Sequence, residues 1–150
     1  MFAPKNILVP TDFSKHSDAA LNIAADIAAT YDANIYFLHA VDNTITRKSI
    51  DYGISYEEIK QLEENSVNAS AEKLKKQSAN IKNDRIKIIN VTKIGDPAEV
   101  ILKEQKAKKI DLIVIPSHGR SGIVRYLLGS VATKVTKSAK CPVMLVRGIM

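Results

Sequence analysis

A doubly wound α/β fold, one open parallel sheet with helices on both faces, is what this sequence predicts, and three observations predict it. Short β-branched or aliphatic runs alternate with helical patterns along the whole chain, the signature of parallel strands joined by right-handed crossovers. Two of those runs, NILVP and IDLIVIP, are apolar without alternation, as strands covered on both faces must be. The 150 residues contain no Pro- or Gly-rich linker and suit one domain that buries about 70% of its unfolded surface, so a single domain over 1–150 is expected.

NILVP, closed by Pro10, is the first strand. Ser14 is a good N-cap for the next helix, in which Ala20, Ile23, Ala24, Ile27 and Ala28 recur at the spacing of one buried face. ANIYFLHAV, β-branched and aromatic, is the second strand, ending at Val41 before Asp42 and Asn43. From Asp42 to Ser55 the pattern lapses, and a connection without structure of its own is expected, either a functional loop or a mobile one. A long helix follows from about Tyr56 to Asn80, with Ile59, Leu62, Val67 and Leu74 as its apolar side and many Asn and Ser residues weakening its middle. RIKIINVTKI alternates as a partly exposed strand near a sheet edge does. GDPAEVILKEQKAKK opens with Asp96 as N-cap, Pro97 at the first helical position and Glu99 where a capping box needs its acceptor. IDLIVIP is the most hydrophobic segment and the expected central strand; a helix from Ser130 to about Ser138 and the strand PVMLVR complete the order βαβαβαβαβ.

Composition removes several functional classes. A formal charge of +6 attracts polyanions, but most Lys residues fall on helical stretches such as EKLKKQ and KEQKAKK, mixed with Glu. Aromatic residues are 5% of the chain, too few for a platform on which bases stack, so the charge reads as solvated helix faces and no nucleic-acid partner is expected. The apolar runs are too short to cross a bilayer and MFAPKNILVP has no signal- or transit-peptide pattern, so no membrane partner and a cytoplasmic address are expected. The lone Cys141 excludes an intrachain disulfide and a multi-cysteine metal cage, and suits a reducing compartment. His16, His39 and His118 share no ligand spacing, so no metal site is expected.

Two strand ends echo each other. ILVPTDFS and LIVIPSHGRS both pass from an aliphatic strand into Pro, a hydroxyl residue and a polar side chain. In an open α/β sheet, ligands settle beyond the carboxyl ends of the strands where the winding reverses. With strand order 3-2-1-4-5 that crevice lies between the first and fourth strands and receives both ends; with 2-1-3-4-5 it moves to strands one and three, and KIGDPAEV stands at its mouth. Periodicity leaves both orders open.

Three of the six glycines fall in the stretch from Gly119 to Gly129. A helix opening at GSVATKV presents the amides of Ser130, Val131 and Ala132 as unpaired donors with a favourable dipole for an anion. Gly129 lets the backbone approach closely and take positive φ, and the Ser130 hydroxyl can cap its own helix or donate to a phosphate. Gly119 and Gly122 permit a turn whose amides form an anion nest, with Arg120 and Arg125 nearby as charged donors. The spacing is neither GxxxxGK[ST] nor GxGxxG. The plain alternative is a surface turn followed by an eased helix start.

PSHG, nine residues RSGIVRYLL, then GS resembles the universal stress protein family, whose nucleotide-binding members carry G-x-x-G, nine residues, and G-S or G-T after the fourth strand. ILVPTDFS, FLHAVD, GDPAEVI and CPVMLVR extend the likeness over essentially the whole chain. The resemblance implies a Rossmann-like sheet of order 3-2-1-4-5 and an adenine nucleotide, ATP or AMP, with or without magnesium. It implies that Pro10, Thr11 and Asp12 edge the adenosine pocket, Asp12 accepting from adenine or ribose, although a local turn or cap before Ser14 also suits Asp12. It places Ala40 against the adenine, Pro116, Ser117, His118, Gly119, Arg120, Ser121 and Gly122 around ribose and phosphates, and Gly129, Ser130, Val131 and Ala132 at the distal phosphates. One departure matters: Pro116 stands at the motif's first glycine, adding ring atoms near the ribose, fixing φ and removing an N–H, so weakened binding is expected. A hydrolase needs a positioned water, a metal and a base, and no GxSxG elbow is present; no catalytic residue is expected, and at most slow hydrolysis. The resemblance also implies a homodimer paired through the last strand, a stress-responsive regulator; the alternative is an interaction protein without nucleotide.

Overall fold

Ile7, Leu8 and Val9 are all buried to within 1%, and β1 (Asn6–Pro10) accordingly takes the middle of the sheet. The computed structural model describes residues 1–118 and 128–147, the side chain of Ile45 excepted. β2 (Asn34–Val41) and β4 (Leu112–Pro116) flank β1 in parallel, so that Ile7 lies between Ile35 and Leu112. β3 (Lys87–Ile94) and β5 (Val143–Val146) form the edges, and the order is β3-β2-β1-β4-β5. The winding therefore reverses between β1 and β4.

Successive strand residues point to opposite faces. Ile7, Val9, Ile35, Phe37 and Val114 pack beneath α1 (Lys15–Tyr31), with Leu74 of α3 (Tyr56–Ser78) in the same cluster. Leu8, Leu38, Ile113 and Ile115 pack on the other side with Ile101 of α4 (Pro97–Ala107) and Val135 of α5 (Ser130–Ser138). Ala20, Ala24 and Ala28 form the buried stripe of α1, small side chains that bring the helix close to the sheet, while Ile23 is exposed. Ser14 caps that helix, accepting the Ser17 N–H at 3.3 Å.

The expectation of an irregular connection from Asp42 to Ser55 is corrected. It holds α2 (Thr44–Lys48) and a 3-10 turn, Ser49–Tyr52. Polar contacts hold it: Asp42 Oδ1 accepts from the Thr44 N–H at 3.0 Å and its hydroxyl at 2.7 Å, and Arg47 Nε meets Glu63 Oε1 at 2.8 Å. The apolar side of α3 is corrected with it. Ile59 and Leu74 are buried, but Leu62 is exposed, and Glu63 and Ser70 take the intervening buried positions. The reciprocal capping box expected at Glu99 is found at α3, between Ser55 and Glu58; at α4 the bond present is Asp96 Oδ2 accepting the Glu99 N–H at 3.1 Å. Just before it, Gly95 has φ +147 and an added Cβ would lie 3.1 Å from Val100 Cγ2, so glycine is required at that turn. From the edge strand β3, α4 returns over the sheet to β4, which sets its first turn at the carboxyl tips of the central strands.

Candidate functional site

A cleft opens at those tips, between the ends of β1 and β4. Pro10, Thr11, Asp12, Ala40, Pro116, His118, Gly129, Ser130, Val131 and Ala132 all line it. Gly119, Arg120, Ser121, Gly122 and Arg125 lie outside the described residues. Ser117 is buried rather than lining: its N–H donates to the Val146 carbonyl at 2.9 Å, its carbonyl accepts the Gly129 N–H at 2.7 Å, and its hydroxyl meets His118 Nδ1 at 3.0 Å. Its place is behind the wall, where it ties β4, β5 and α5 together.

The β1 tip is held on every side. The Thr11 N–H donates to the Leu38 carbonyl at 2.8 Å, the Thr11 carbonyl meets His39 Nδ1 at 2.8 Å, and the Thr11 hydroxyl accepts the Phe13 N–H at 3.0 Å. Asp12 Oδ1 accepts the Ser14 N–H at 2.9 Å, so the local turn is present and the same residue still faces the cleft. At the other tip the α5 amides of Ser130, Val131 and Ala132 take no acceptor among the described residues; the first helical bond runs from the Thr133 N–H to the Gly129 carbonyl at 2.9 Å. His118 Nε2 is buried in the wall and also lacks a partner there. α5 begins at Ser130 as expected, but the positive φ open to Gly129 and the cap open to the Ser130 hydroxyl are not used. Gly129 is itself the N-cap, with φ −59 and ψ 154, ordinary extended backbone that needs no glycine. Ser130 is the first helical residue, and no side-chain bond caps α5.

Leu38, His39, Pro97, Ile101 and Ile115 also line the cleft, and sequence reasoning missed them. The route of α4 from an edge strand to the far side of β1 was the available signal for Pro97 and Ile101. α4 brings an apolar wall and few donors, because Pro97 has no N–H and Asp96 already accepts at that helix start. Lys134 of α5 stands 3.9 Å from the same Asp96 carboxylate. Among the described residues the cleft therefore has an apolar floor, one carboxylate, at Asp12, and an open set of amide donors at α5. That suits a flat apolar ring system bearing an anionic tail.

The groups with shifted pKa values stand apart from these lining residues. Hydrogen bonds from the Thr44 side chain and backbone hold the Asp42 carboxyl below its usual value. The Tyr56 side chain, with Glu63 adding to it, raises Arg47. Burial, and then the Asp111 charge, push the Cys141 thiol up and keep it neutral. Among the described residues no group of three or more His, Cys, Asp or Glu is placed to hold a metal ion, and no helix is long and apolar enough to cross a membrane.

The Universal stress protein family model matches residues 4–147. The chain belongs to the universal stress protein family. Universal stress protein MJ0531 of Methanocaldococcus jannaschii is 36% identical over 143 residues, covering 95% of this chain and 82% of that protein. Among solved structures, that of MJ0577, described as a structure-based assignment of biochemical function, aligns with a TM-score of 0.85 at 24% identity and covers 99% of both chains. A universal stress protein family structure from Arabidopsis thaliana, with AMP bound, aligns with a TM-score of 0.61 at 21% identity over 97% of this chain and 93% of that one. These structural likenesses carry the Rossmann-like fold of the family, with its strand order as observed here.

Proposed function

We propose that this universal stress protein binds an adenine nucleotide, ATP or AMP, in the cleft between β1 and β4 and acts as a nucleotide-responsive regulator of the cytoplasm. One observation carries the reading: the three leading amides of α5 stand without acceptors among the described residues at the mouth of an apolar cleft. Such amides, with the helix dipole behind them, hold phosphate. His118 Nε2, buried in the same wall and without a partner among the described residues, supports it, as does the AMP carried by the Arabidopsis relative. The base would lie over Leu38, Ala40, Ile101 and Ile115, its edge toward Asp12. Magnesium would come with the phosphates, since Asp12 is the single carboxylate among the lining residues. That lone carboxylate, already accepting from Ser14, supports binding rather than catalysis.

Calorimetry with ATP, ADP and AMP in magnesium tests this. Gly129→Val, which sets a branched side chain among the donors, is expected to weaken binding at least ~100-fold. Pro116→Gly, which clears ring atoms from the sugar's path, is expected to tighten it. No heat from any of the three nucleotides with the unaltered chain ends the reading.

The β5 edge supports a second part of the proposal, pairing of two copies through the last strand. Val143–Val146 ends the sheet, and Met144 is exposed there, as an edge open to a partner strand would be. Sedimentation at micromolar concentration is expected to give the dimer mass; a monomer alone removes this part.

A further inference from the structure

We infer that Gln77, at the end of α3, and the Thr11 hydroxyl form a latch that aims Asp12 into the cleft, both acting as positioning residues. The inference rests on the reading of the cleft as a nucleotide site and names what tunes it. The starting point is Phe13, whose φ is +66. A bulky residue takes that conformation only where its surroundings hold it. Here the Thr11 hydroxyl accepts the Phe13 N–H at 3.0 Å, closing a side-chain turn in which Asp12 is the middle residue. The Phe13 ring rests on the His39 ring with centroids 4.3 Å apart, and Lys73 Nζ lies 5.4 Å from its centre. A carbonyl only accepts, so His39 Nδ1 carries the proton that reaches the Thr11 carbonyl.

The Thr11 hydroxyl has one proton, and two acceptors share it in a three-centre bond, Ser17 Oγ at 2.8 Å and Gln77 Oε1 at 3.0 Å. Which way the Gln77 amide faces is settled by Asp18: its carboxylate accepts from Gln77 Nε2, which leaves Oε1 for Thr11. Ser17 Oγ gives its own proton to the Ser14 carbonyl at 2.7 Å. α3, which is absent from the described lining of the cleft, thus fixes the turn that carries Asp12, the one carboxylate among the described lining residues.

The test combines AMP calorimetry with amide exchange on the ligand-free protein, using Thr11→Val, Thr11→Ser, Gln77→Leu, Asp12→Ala and the Thr11→Val, Asp12→Ala double variant. Thr11→Val and Gln77→Leu are each expected to weaken AMP about tenfold and to speed exchange at the Phe13 amide, with cooperative melting retained. Thr11→Ser, which keeps the hydroxyl, is expected to stay within about twofold. The double variant is expected to bind no more weakly than Asp12→Ala, because a positioning group acts through the group it positions. Additive losses in the double variant, or full AMP affinity in folded Gln77→Leu, overturn the latch and leave the nucleotide reading standing. No heat with the unaltered chain overturns both.

Discussion

The two strand ends facing each other across the cleft begin alike and finish differently. β1 runs out through Pro10, Thr11 and Asp12, β4 through Pro116, Ser117 and His118. At β1 the N–H, carbonyl and hydroxyl of Thr11 all bond within the protein, and part of the Asp12 carboxylate does too. Beyond β4 the bonding stops at Gly129, and three amides and an imidazole nitrogen stay open among the described residues. A group already bonded inside the protein must break that bond to hold a ligand, at about 0.5–1.5 kcal/mol for each neutral pair. The first end is consequently a shaped wall, and the second is the seat on the proposed reading. What separates them is their neighbours: β2 bonds the first end through Leu38 and His39, its own turn does so through Phe13 and Ser14, and α3 adds Gln77.

The sharpest way to break this comparison is to satisfy the open donors from within. Gly129 is an N-cap at φ −59 and ψ 154, close to the geometry of Ser14 at −79 and 166 and Ser55 at −69 and 153, both of which cap with their side chains. Gly129→Asp would therefore place a carboxylate on the α5 amides without backbone strain. The expected stability gain is about 0.5–1 kcal/mol, from the cap and the helix dipole together. Nucleotide binding is expected to fall ~100-fold or more, since the same amides cannot serve two anions and the new charge repels phosphate. Thermal melting and calorimetry on one sample should thus move in opposite senses. Unchanged nucleotide affinity in a folded, stabilised Gly129→Asp would show that the α5 amides are not the seat.

The contrast between the two ends also separates what the sequence could reveal from what it could not. The β1 and β4 runs declare themselves because a strand covered on both faces has no polar position to hide, and Asp96 with Pro97 marks a helix start by chemistry confined to neighbouring residues. Ser130, Val131 and Ala132 were legible for the same reason, since unpaired amides at a helix start follow from local geometry. The latch was not, because Gln77 and Thr11 are 66 residues apart and meet only once α3 is docked. α2 escaped likewise. Its fastening is a polar one, Arg47 to Glu63, and on α3 it is Glu63 that is buried while Leu62 is exposed, against the apolar reading of that helix. Pattern reading assumes that buried means apolar, and a paired carboxylate breaks that assumption. Gly129 permits positive φ yet stands at −59, because φ is a property of the fold around the residue and not of glycine itself.

The smallest effect compares the two hydroxyls themselves. Thr11 and Ser117 occupy equivalent places after their prolines and are both buried, yet they carry different numbers of bonds. Thr11→Val keeps the shape and strips the partners from the Phe13 N–H and Gln77 Oε1; orphaned groups of this kind cost about 1–3 kcal/mol. Ser117→Ala strips the partner from one group, His118 Nδ1, and leaves the backbone bonds to Val146 and Gly129 in place, about half the cost of the two groups stripped at Thr11. For a chain of this size each kcal/mol moves the melting temperature by roughly 2–4 °C, so Thr11→Val should melt several degrees below Ser117→Ala. The order is fixed by the unequal bonding of the two ends, and equal or reversed melting temperatures would show that the β1 tip is no more firmly held than the tip it faces.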